Sequence, residues 1–90
     1  MRIYLQTPAV DERAPRYCQL LMQKDLLEGW TLVQESGYAG ASGRVKREHY
    51  ATREHAERAL VSARDAYVRR GYRVVFVQGE QPLDNAAADQ

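Results

Sequence analysis

The stretch Trp30–Gly43, followed by the basic segment Arg44–Tyr50, constrains the fold of this chain more than any other. Its first part, Trp30–Glu35, alternates in the period-two pattern that is typical of a strand. The next part, Ser36–Gly43, holds three glycines, and Arg44–Tyr50 then alternates again. Glycine supplies the positive φ that tight or bulged hairpin loops require. The stretch therefore predicts an antiparallel hairpin with Ser36–Gly43 at its tip.

The glycines of this tip have the spacing G-x-x-G-x-x-G. A dinucleotide-binding turn has the spacing G-x-G-x-x-G and leads from a strand into a helix. Here a second strand follows the glycines. We therefore favour a plain turn over a phosphate-binding loop.

A long helix is predicted at Thr52–Arg70. Thr52 suits the N-cap, acidic residues lie near the positive end of the helix dipole, arginines lie at its negative end, and Gly71 suits the C-cap. The apolar residues at helical spacing are Ala56, Ala59, Leu60, Ala63 and Tyr67. The alanines in this stripe allow the helix to approach a sheet closely.

Three further strands are predicted at Arg2–Gln6, Arg16–Lys24 and Tyr72–Val77. The segment between the first two, Thr7–Pro15, contains two prolines and is predicted to be a loop. Arg16–Lys24 also contains residues that suit a helix. The turn residues that follow it, closed by Gly29, favour a strand that pairs antiparallel with Trp30–Glu35.

These elements predict an α+β domain over residues 1–78, with an antiparallel sheet of about five strands and one long helix packed on a face. Either Tyr17 and Leu21 or the alternate residues Cys18, Leu20 and Met22 face the helix, and the pattern leaves this choice open. The other predicted core residues are Trp30, Leu32, Val45, Leu60, Tyr67, Val74 and Phe76. Residues 79–90 are acidic and alanine-rich without an apolar period, which predicts a disordered tail.

The order of an apolar strand, a glycine loop, a basic strand and a helix resembles that of a WGR domain. This module occurs in DNA-dependent poly(ADP-ribose) polymerases and as small stand-alone bacterial proteins. The resemblance runs from about Arg16 to Tyr72 and includes the G-Y-R sequence after the helix. It implies a WGR-like fold and contact with a DNA end. The Trp-Gly-Arg of the family is replaced here by Ser36-Gly37-Tyr38, so that only the glycine is retained.

Charge is distributed unevenly along the chain. The formal net charge is +1, but residues 13–77 carry 12 Lys and Arg against 7 Asp and Glu, and the flanking residues are acidic. Cys18 is the single cysteine and has no partner for an internal disulfide, which fits a reducing compartment. No signal-peptide pattern and no membrane-length apolar run is visible. We therefore expect a cytoplasmic protein without a membrane partner.

Catalytic and metal-binding residues are sparse in the sequence. His49 and His55 are the two histidines, and they lack the spacing of known histidine metal motifs. We therefore expect a protein that is not an enzyme and has neither a metal nor a cofactor.

Nucleic acid is the partner that the basic residues favour. The residues predicted to contact it are Tyr38, Arg44, Lys46, Arg47, Arg69 and Arg70. The cations would bind phosphates, and Tyr38 would stack on a base or sugar. Alternation places Arg44 and Lys46 on one face of their strand and Arg47 on the other. The alternative, favoured by the replaced WGR residues and the near-neutral total charge, is an adaptor that binds another protein.

Overall fold

The computed structural model describes residues 1–79 and contains one antiparallel sheet with a helix packed on one face. Its elements are β1 (Arg2–Gln6), β2 (Arg16–Lys24), β3 (Trp30–Tyr38), β4 (Arg44–Tyr50), α1 (Arg53–Arg69) and β5 (Arg73–Gln78). The five strands lie in the order β4-β3-β2-β1-β5. The predicted α+β class is confirmed. The predicted tail lies outside the described residues, apart from Gly79.

Helix α1 carries the chain from one edge of the sheet, β4, to the other edge, β5. On the side of α1 that faces the sheet, Ala56 and Leu60 are fully buried. Ala59, Ala63 and Tyr67 are partly buried and complete the predicted stripe. None of the helices among the described residues is both long and apolar enough to cross a membrane.

The ends of α1 follow from its capping residues. The Thr52 side chain accepts a hydrogen bond of 3.2 Å from the His55 amide, which confirms the prediction of Thr52 as the N-cap. The prediction of Gly71 as C-cap is wrong by one residue, because Arg70 is the cap. Gly71 follows it with a φ of 100°, a conformation that glycine adopts without strain.

The helix-facing side of the sheet forms the core. In β2 this side carries Cys18, Leu20 and Met22, which settles the face that the sequence left open. Tyr17 and Leu21 point to the opposite, open face of the sheet. The core also contains Ile3, Leu5 and Tyr72, which the sequence prediction did not include.

The core prediction is wrong for three residues: Val45, Val74 and Phe76 are 47%, 43% and 44% exposed. Val45 pairs with Glu35 on the open face, away from the helix. Phe76 pairs with Tyr4 and also lies on the open face. Val74 pairs with Leu5 and lies on the helix side, but on an edge strand that α1 leaves largely uncovered.

The β3–β4 hairpin differs from its prediction in where it turns and in what its glycines do. Strand β3 continues to Tyr38, three residues past the predicted end, and the connection is residues 39–43. Gly40 has a positive φ, 84°, whereas Gly37 and Gly43 do not. A Cβ on Gly37 would lie 2.9 Å from the Gly43 Cα, and one on Gly43 would lie 2.5 Å from the Ser36 carbonyl oxygen. These two glycines are required for close backbone approach, and the positive φ predicted for them is wrong.

The open face carries a row of stacked aromatic rings. The ring centroids of Tyr17 and Tyr4 lie 6.0 Å apart, those of Tyr4 and Phe76 lie 5.4 Å apart, and both pairs are nearly parallel. Tyr17 donates a hydrogen bond of 2.6 Å to Glu35, which, with burial, raises the pKa of Tyr17 to about 12. The stack, which we call the aromatic row, spans β2, β1 and β5 and ends at Phe76 on the sheet edge.

Candidate nucleic-acid interface

A cleft of about 510 Å³ lies on the helix side of the sheet, where the C-terminal end of α1 meets the β3–β4 hairpin. Its lining residues are Arg16, Ser36, Gly37, Tyr38, Ser42, Gly43, Arg44, Tyr67, Arg70 and Tyr72. We call it the basic cleft, because its lining within residues 1–79 contains three arginines and no carboxylate. A phosphate in this cleft would meet positive charge from three separate elements of the fold.

Strand register brings two of the arginines to the cleft. Arg16 pairs with Tyr38 across β2 and β3, and Arg44 pairs with Ser36 across β3 and β4. Because directly opposite residues in an antiparallel sheet point to the same face, all four lie on the helix side. Helix α1 ends beside them and supplies Arg70.

Tyrosine rings hold two of these guanidinium groups. The Arg16 guanidinium carbon lies 5.3 Å from the Tyr38 ring centroid, and that of Arg70 lies 5.0 Å from Tyr67 and 5.7 Å from Tyr72. Such cation–π contacts orient an arginine without using its hydrogen-bond donors on a carboxylate. Within residues 1–79, no acidic side chain forms an ion pair with an arginine of the basic cleft.

Tyr67 lines the basic cleft, and its hydroxyl lies near Ser36 and Cys18. Burial raises the pKa of Tyr67. Burial also raises the pKa of the Cys18 thiol to about 11, although the Tyr67 hydrogen bond and the charge of Arg70 act in the opposite direction. The sulfur is fully buried below the cleft and stays protonated at neutral pH.

We expect the Cys18 thiol to resist alkylation in the folded protein. Its raised pKa lowers the thiolate fraction near pH 8 by about 100-fold relative to an ordinary cysteine, and burial blocks access as well. Iodoacetamide labelling followed by mass spectrometry should therefore be at least about 100-fold slower in buffer than in denaturing urea, which serves as the control. Equal rates in the two conditions would contradict this placement of Cys18.

The structure brings together three of the six residues predicted for nucleic-acid contact. Tyr38, Arg44 and Arg70 all line the basic cleft. Lys46 lies on the same face of β4, outside the cleft lining, with its Nζ 3.6 Å from the Glu48 carboxylate.

The remaining two predicted residues point elsewhere. Arg47 pairs with Val33 and therefore lies on the open face of the sheet. Arg69 lies on the outer side of α1, in an open depression of about 810 Å³. The carboxylates of that depression are Glu54, Glu57 and Asp65. These three carboxylates outnumber the two arginines of the depression, Arg58 and Arg69, so its charge does not favour an anion. Neither Arg47 nor Arg69 lines the basic cleft.

Sequence reasoning missed Arg16, Tyr67 and Tyr72 as site residues. Arg16 is the first residue of its strand, and its position becomes informative only once the register places it opposite Tyr38. The helix period did identify Tyr67 as inward-facing. That signal distinguishes core from surface and gives no indication of a cleft.

A second depression of about 410 Å³ adjoins the basic cleft and shares Arg16, Tyr38 and Arg70 with it. It lies under the β1–β2 connection, which contributes Arg13 and the carboxylate of Asp11. The basic surface thus extends from the β3–β4 hairpin, past the end of the helix, to the first loop of the chain.

Comparison of the chain with known protein families, with characterised proteins and with solved structures gives no match. The WGR resemblance therefore rests on the residues quoted for it above.

The histidines lie away from the basic cleft. His49 Nδ1 is 2.8 Å from an Asp25 carboxylate oxygen, and Thr31 donates to the same oxygen at 3.3 Å. This cluster fastens β4 to the β2–β3 turn. In the part of the chain that the structure describes, no group of three or more His, Cys, Asp and Glu residues could hold a metal ion.

Proposed function

We propose that this chain is a noncatalytic module that binds nucleic acid by holding backbone phosphates in the basic cleft. The observation that carries the proposal is the convergence of Arg16, Arg44 and Arg70 on one cleft, to whose lining the described part of the chain contributes no carboxylate. Arginine suits this role because its planar fork of donors matches the oxygens of a phosphate.

Tyr38 supports a nucleic acid as ligand in preference to a free anion. Its ring is 53% exposed at the edge of the basic cleft, and Arg16 lies against it. An exposed aromatic ring beside phosphate-binding arginines can stack on a base or sugar. The combination favours a strand with accessible bases, such as a single strand or a DNA end.

The negative end of the α1 dipole opposes the binding of an anion in the cleft. The energy of this repulsion can be compared with the energy of the hydrogen bonds that the arginines would donate to the anion. A dipole end contributes about 0.3–1 kcal/mol near a surface, whereas a hydrogen bond to a charged group contributes about 1.5–3 kcal/mol. The last carbonyls of α1 already accept hydrogen bonds, since the Arg70 amide donates to Ala66 and Tyr67 and the Gly71 amide donates to Val68. The three arginines therefore dominate the local potential.

The WGR resemblance supports the same class of partner. The family's Trp and Arg are replaced by Ser36 and Tyr38, but Arg44 pairs with Ser36 and Arg16 pairs with Tyr38. Guanidinium groups thus lie directly beside the two replaced positions. We propose that they take over the phosphate contact of the missing arginine, in a WGR-like protein of the cytoplasm.

The proposal is tested by fluorescence-polarisation titrations of the full chain against labelled single-stranded, blunt and nicked DNA. Three phosphate contacts predict that the logarithm of the association constant falls with log salt at a slope of about −2.1 for single-stranded DNA and about −2.7 for duplex DNA, so that binding weakens about 20- to 40-fold between roughly 50 and 200 mM salt. A flat salt dependence, or no binding to any of these DNAs at low salt, would rule out phosphate contacts in the cleft.

The second candidate function is a protein-interaction adaptor. The observation that favours it is β5, an edge strand on which Val74, Val75, Phe76 and Val77 are all 43–56% exposed. Purification of the chain from a nuclease-treated native lysate distinguishes the two functions. A stoichiometric protein partner that remains bound after nuclease treatment favours the adaptor.

A further inference from the structure

The depression of about 410 Å³ beside the basic cleft is a second compartment of the same surface, and we call it the side pocket. The β1–β2 connection forms one side of it, and Arg16, Tyr38, Arg70 and Gly71 form the other. The first three of these also line the basic cleft. The volume of the side pocket lies within the roughly 300–1,000 Å³ of pockets that hold small organic groups. A group attached to a phosphate in the basic cleft can therefore enter the side pocket.

The β1–β2 connection, residues 7–15, is fastened to the sheet at both ends. The Thr7 amide donates to the Arg16 carbonyl at 2.8 Å, and the Thr7 hydroxyl accepts from the Arg16 amide at 2.9 Å. The Ala39 amide donates to the Pro15 carbonyl at 2.7 Å. The prolines of the connection also fix φ at their own positions. This wall of the side pocket is thus preorganised, which lowers the entropic cost of binding a ligand.

The tip of this connection is a tight turn that presents Asp11. The Arg13 amide donates to the Val10 carbonyl at 3.3 Å, and Asp11 has a φ of 59°. Asp and Asn adopt this left-handed conformation more readily than other residues with a side chain. Asp11 is the one acidic residue that residues 1–79 contribute to the side pocket, and none of the ion pairs in this part of the chain involves it. Its carboxylate is therefore available to accept hydrogen bonds from a ligand.

The side pocket and the basic cleft differ in chemistry. The basic cleft suits a phosphate, because residues 1–79 supply no carboxylate to its lining. The side pocket adds the Asp11 carboxylate and apolar wall residues, among them Val10 and Pro15. Apolar walls with a few polar groups are typical of sites for organic ligands. Tyr38 lines both compartments, and its ring is 53% exposed although Arg16 lies over one face. The other face remains for a base to stack on.

We propose that the side pocket holds a guanine base of the strand whose phosphate lies in the basic cleft. This inference rests on the proposed function and adds a base preference to it. Guanine has two adjacent N–H donors on one edge, N1–H and the N2 amino group, and the two oxygens of the Asp11 carboxylate accept both. Its other edge carries the acceptors N7 and O6, which match the donors of an arginine. Arg13, which also lines the side pocket, supplies these donors.

The other three DNA bases match the carboxylate less well. Adenine, cytosine and thymine each have one donor group on the pairing edge, with an acceptor beside it. An ionised carboxylate has no donor for that acceptor. A good bidentate contact discriminates against the wrong base by about 5- to 100-fold. We therefore expect guanine to bind at least about 5-fold more tightly than the other bases at this position.

Fluorescence-polarisation titrations of the full chain measure this preference. The ligands are short labelled oligothymidine strands in which two internal thymines are replaced by guanine, adenine, cytosine or hypoxanthine. Hypoxanthine is guanine without the N2 amino group, so it removes one of the two hydrogen bonds to Asp11. The wild-type chain should bind the guanine strand most tightly and the hypoxanthine strand about 3-fold or more weakly than that, as expected for one lost hydrogen bond.

Asp11→Asn is the variant that tests the contact. Asparagine tolerates the positive φ of the turn but replaces one acceptor by a donor. The guanine preference should fall below about 2-fold, guanine and hypoxanthine should bind equally, and the salt slope should stay unchanged because the phosphate contacts are intact. Glu12→Gln is the matched control. It removes the same charge from the next residue of the turn, which lies outside the side pocket lining, and it should retain the guanine preference.

The outcomes separate this inference from the proposed function. A guanine preference that Asp11→Asn removes and Glu12→Gln retains supports the guanine site. Salt-dependent binding with equal affinity for all the bases, or a guanine preference that survives Asp11→Asn, overturns the guanine site and leaves the phosphate contacts of the basic cleft standing. No binding to any of the strands at low salt overturns both.

Discussion

Replacing Arg16, Arg44 and Arg70 together by alanine is expected to weaken DNA binding by more than about 100-fold, since each charge-assisted hydrogen bond contributes about 1.5–3 kcal/mol. The three guanidinium groups converge on the basic cleft from β2, β4 and the end of α1. Their loss should also bring the salt slope close to zero, because each phosphate contact accounts for about one unit of slope. Polarisation titrations at several salt concentrations measure both quantities.

The chain offers a matched control for this variant. Replacing Lys46, Arg47 and Arg69 by alanine removes the same amount of charge from residues outside the cleft lining. The control should retain most of the wild-type affinity and salt slope. Equal losses in the two triple variants would mean that DNA binds to a diffuse positive surface. Circular dichroism of both variants establishes that the fold is kept, as expected for exposed side chains.

Leu60→Ala is expected to lower the free energy of unfolding by about 2–5 kcal/mol. Leu60 is fully buried in the middle of α1 and packs with Ala56 into the core cluster. Alanine would leave a cavity between helix and sheet that neither element can close by itself. A domain of this size has on the order of 5–10 kcal/mol of stability in total, so the loss is a large share of it. Urea unfolding followed by circular dichroism measures the change.

Val68→Ala is the control for the helix itself. Val68 lies on α1 with 46% of its surface exposed, so its truncation should change the unfolding free energy by less than about 0.5 kcal/mol. If Leu60→Ala cost no more than Val68→Ala, the packing of α1 against the sheet described above would be incorrect.

Local patterns in the sequence were sufficient to predict the helix and the five strands. The predicted strands and helix lie within a few residues of the observed ones. Strand alternation, the N-cap at Thr52 and the helix end at Arg70 and Gly71 each depend on a few neighbouring residues only. The end of β3 was placed too early because glycine signals a turn. Gly37 instead occupies a strand position where backbone meets backbone.

Local patterns in the sequence could not predict the strand register or the strand order. The basic cleft depends on Arg16 pairing with Tyr38, a property of two strands that no single segment encodes. Val45 and Phe76 alternate as core residues would, but their exposure is set by which face α1 covers and how far it reaches. For the same reason Arg44 and Arg70 came together whereas Arg47 and Arg69 did not.

The position of β1 between β2 and β5 has a consequence for the order of folding. Arg2 pairs with Leu21 on one side and with Gln78 on the other, so the two sides of this strand close over very different lengths of chain. Closing a longer loop costs more entropy, and non-local strand pairs form late. The β2-β3-β4 meander and β1 can associate early, while the outer edge of β1 stays unpaired until β5 forms. Until β5 arrives, the core residues Ile3 and Leu5 lie in a temporary edge strand, the kind of site where an incompletely folded chain is most prone to aggregate.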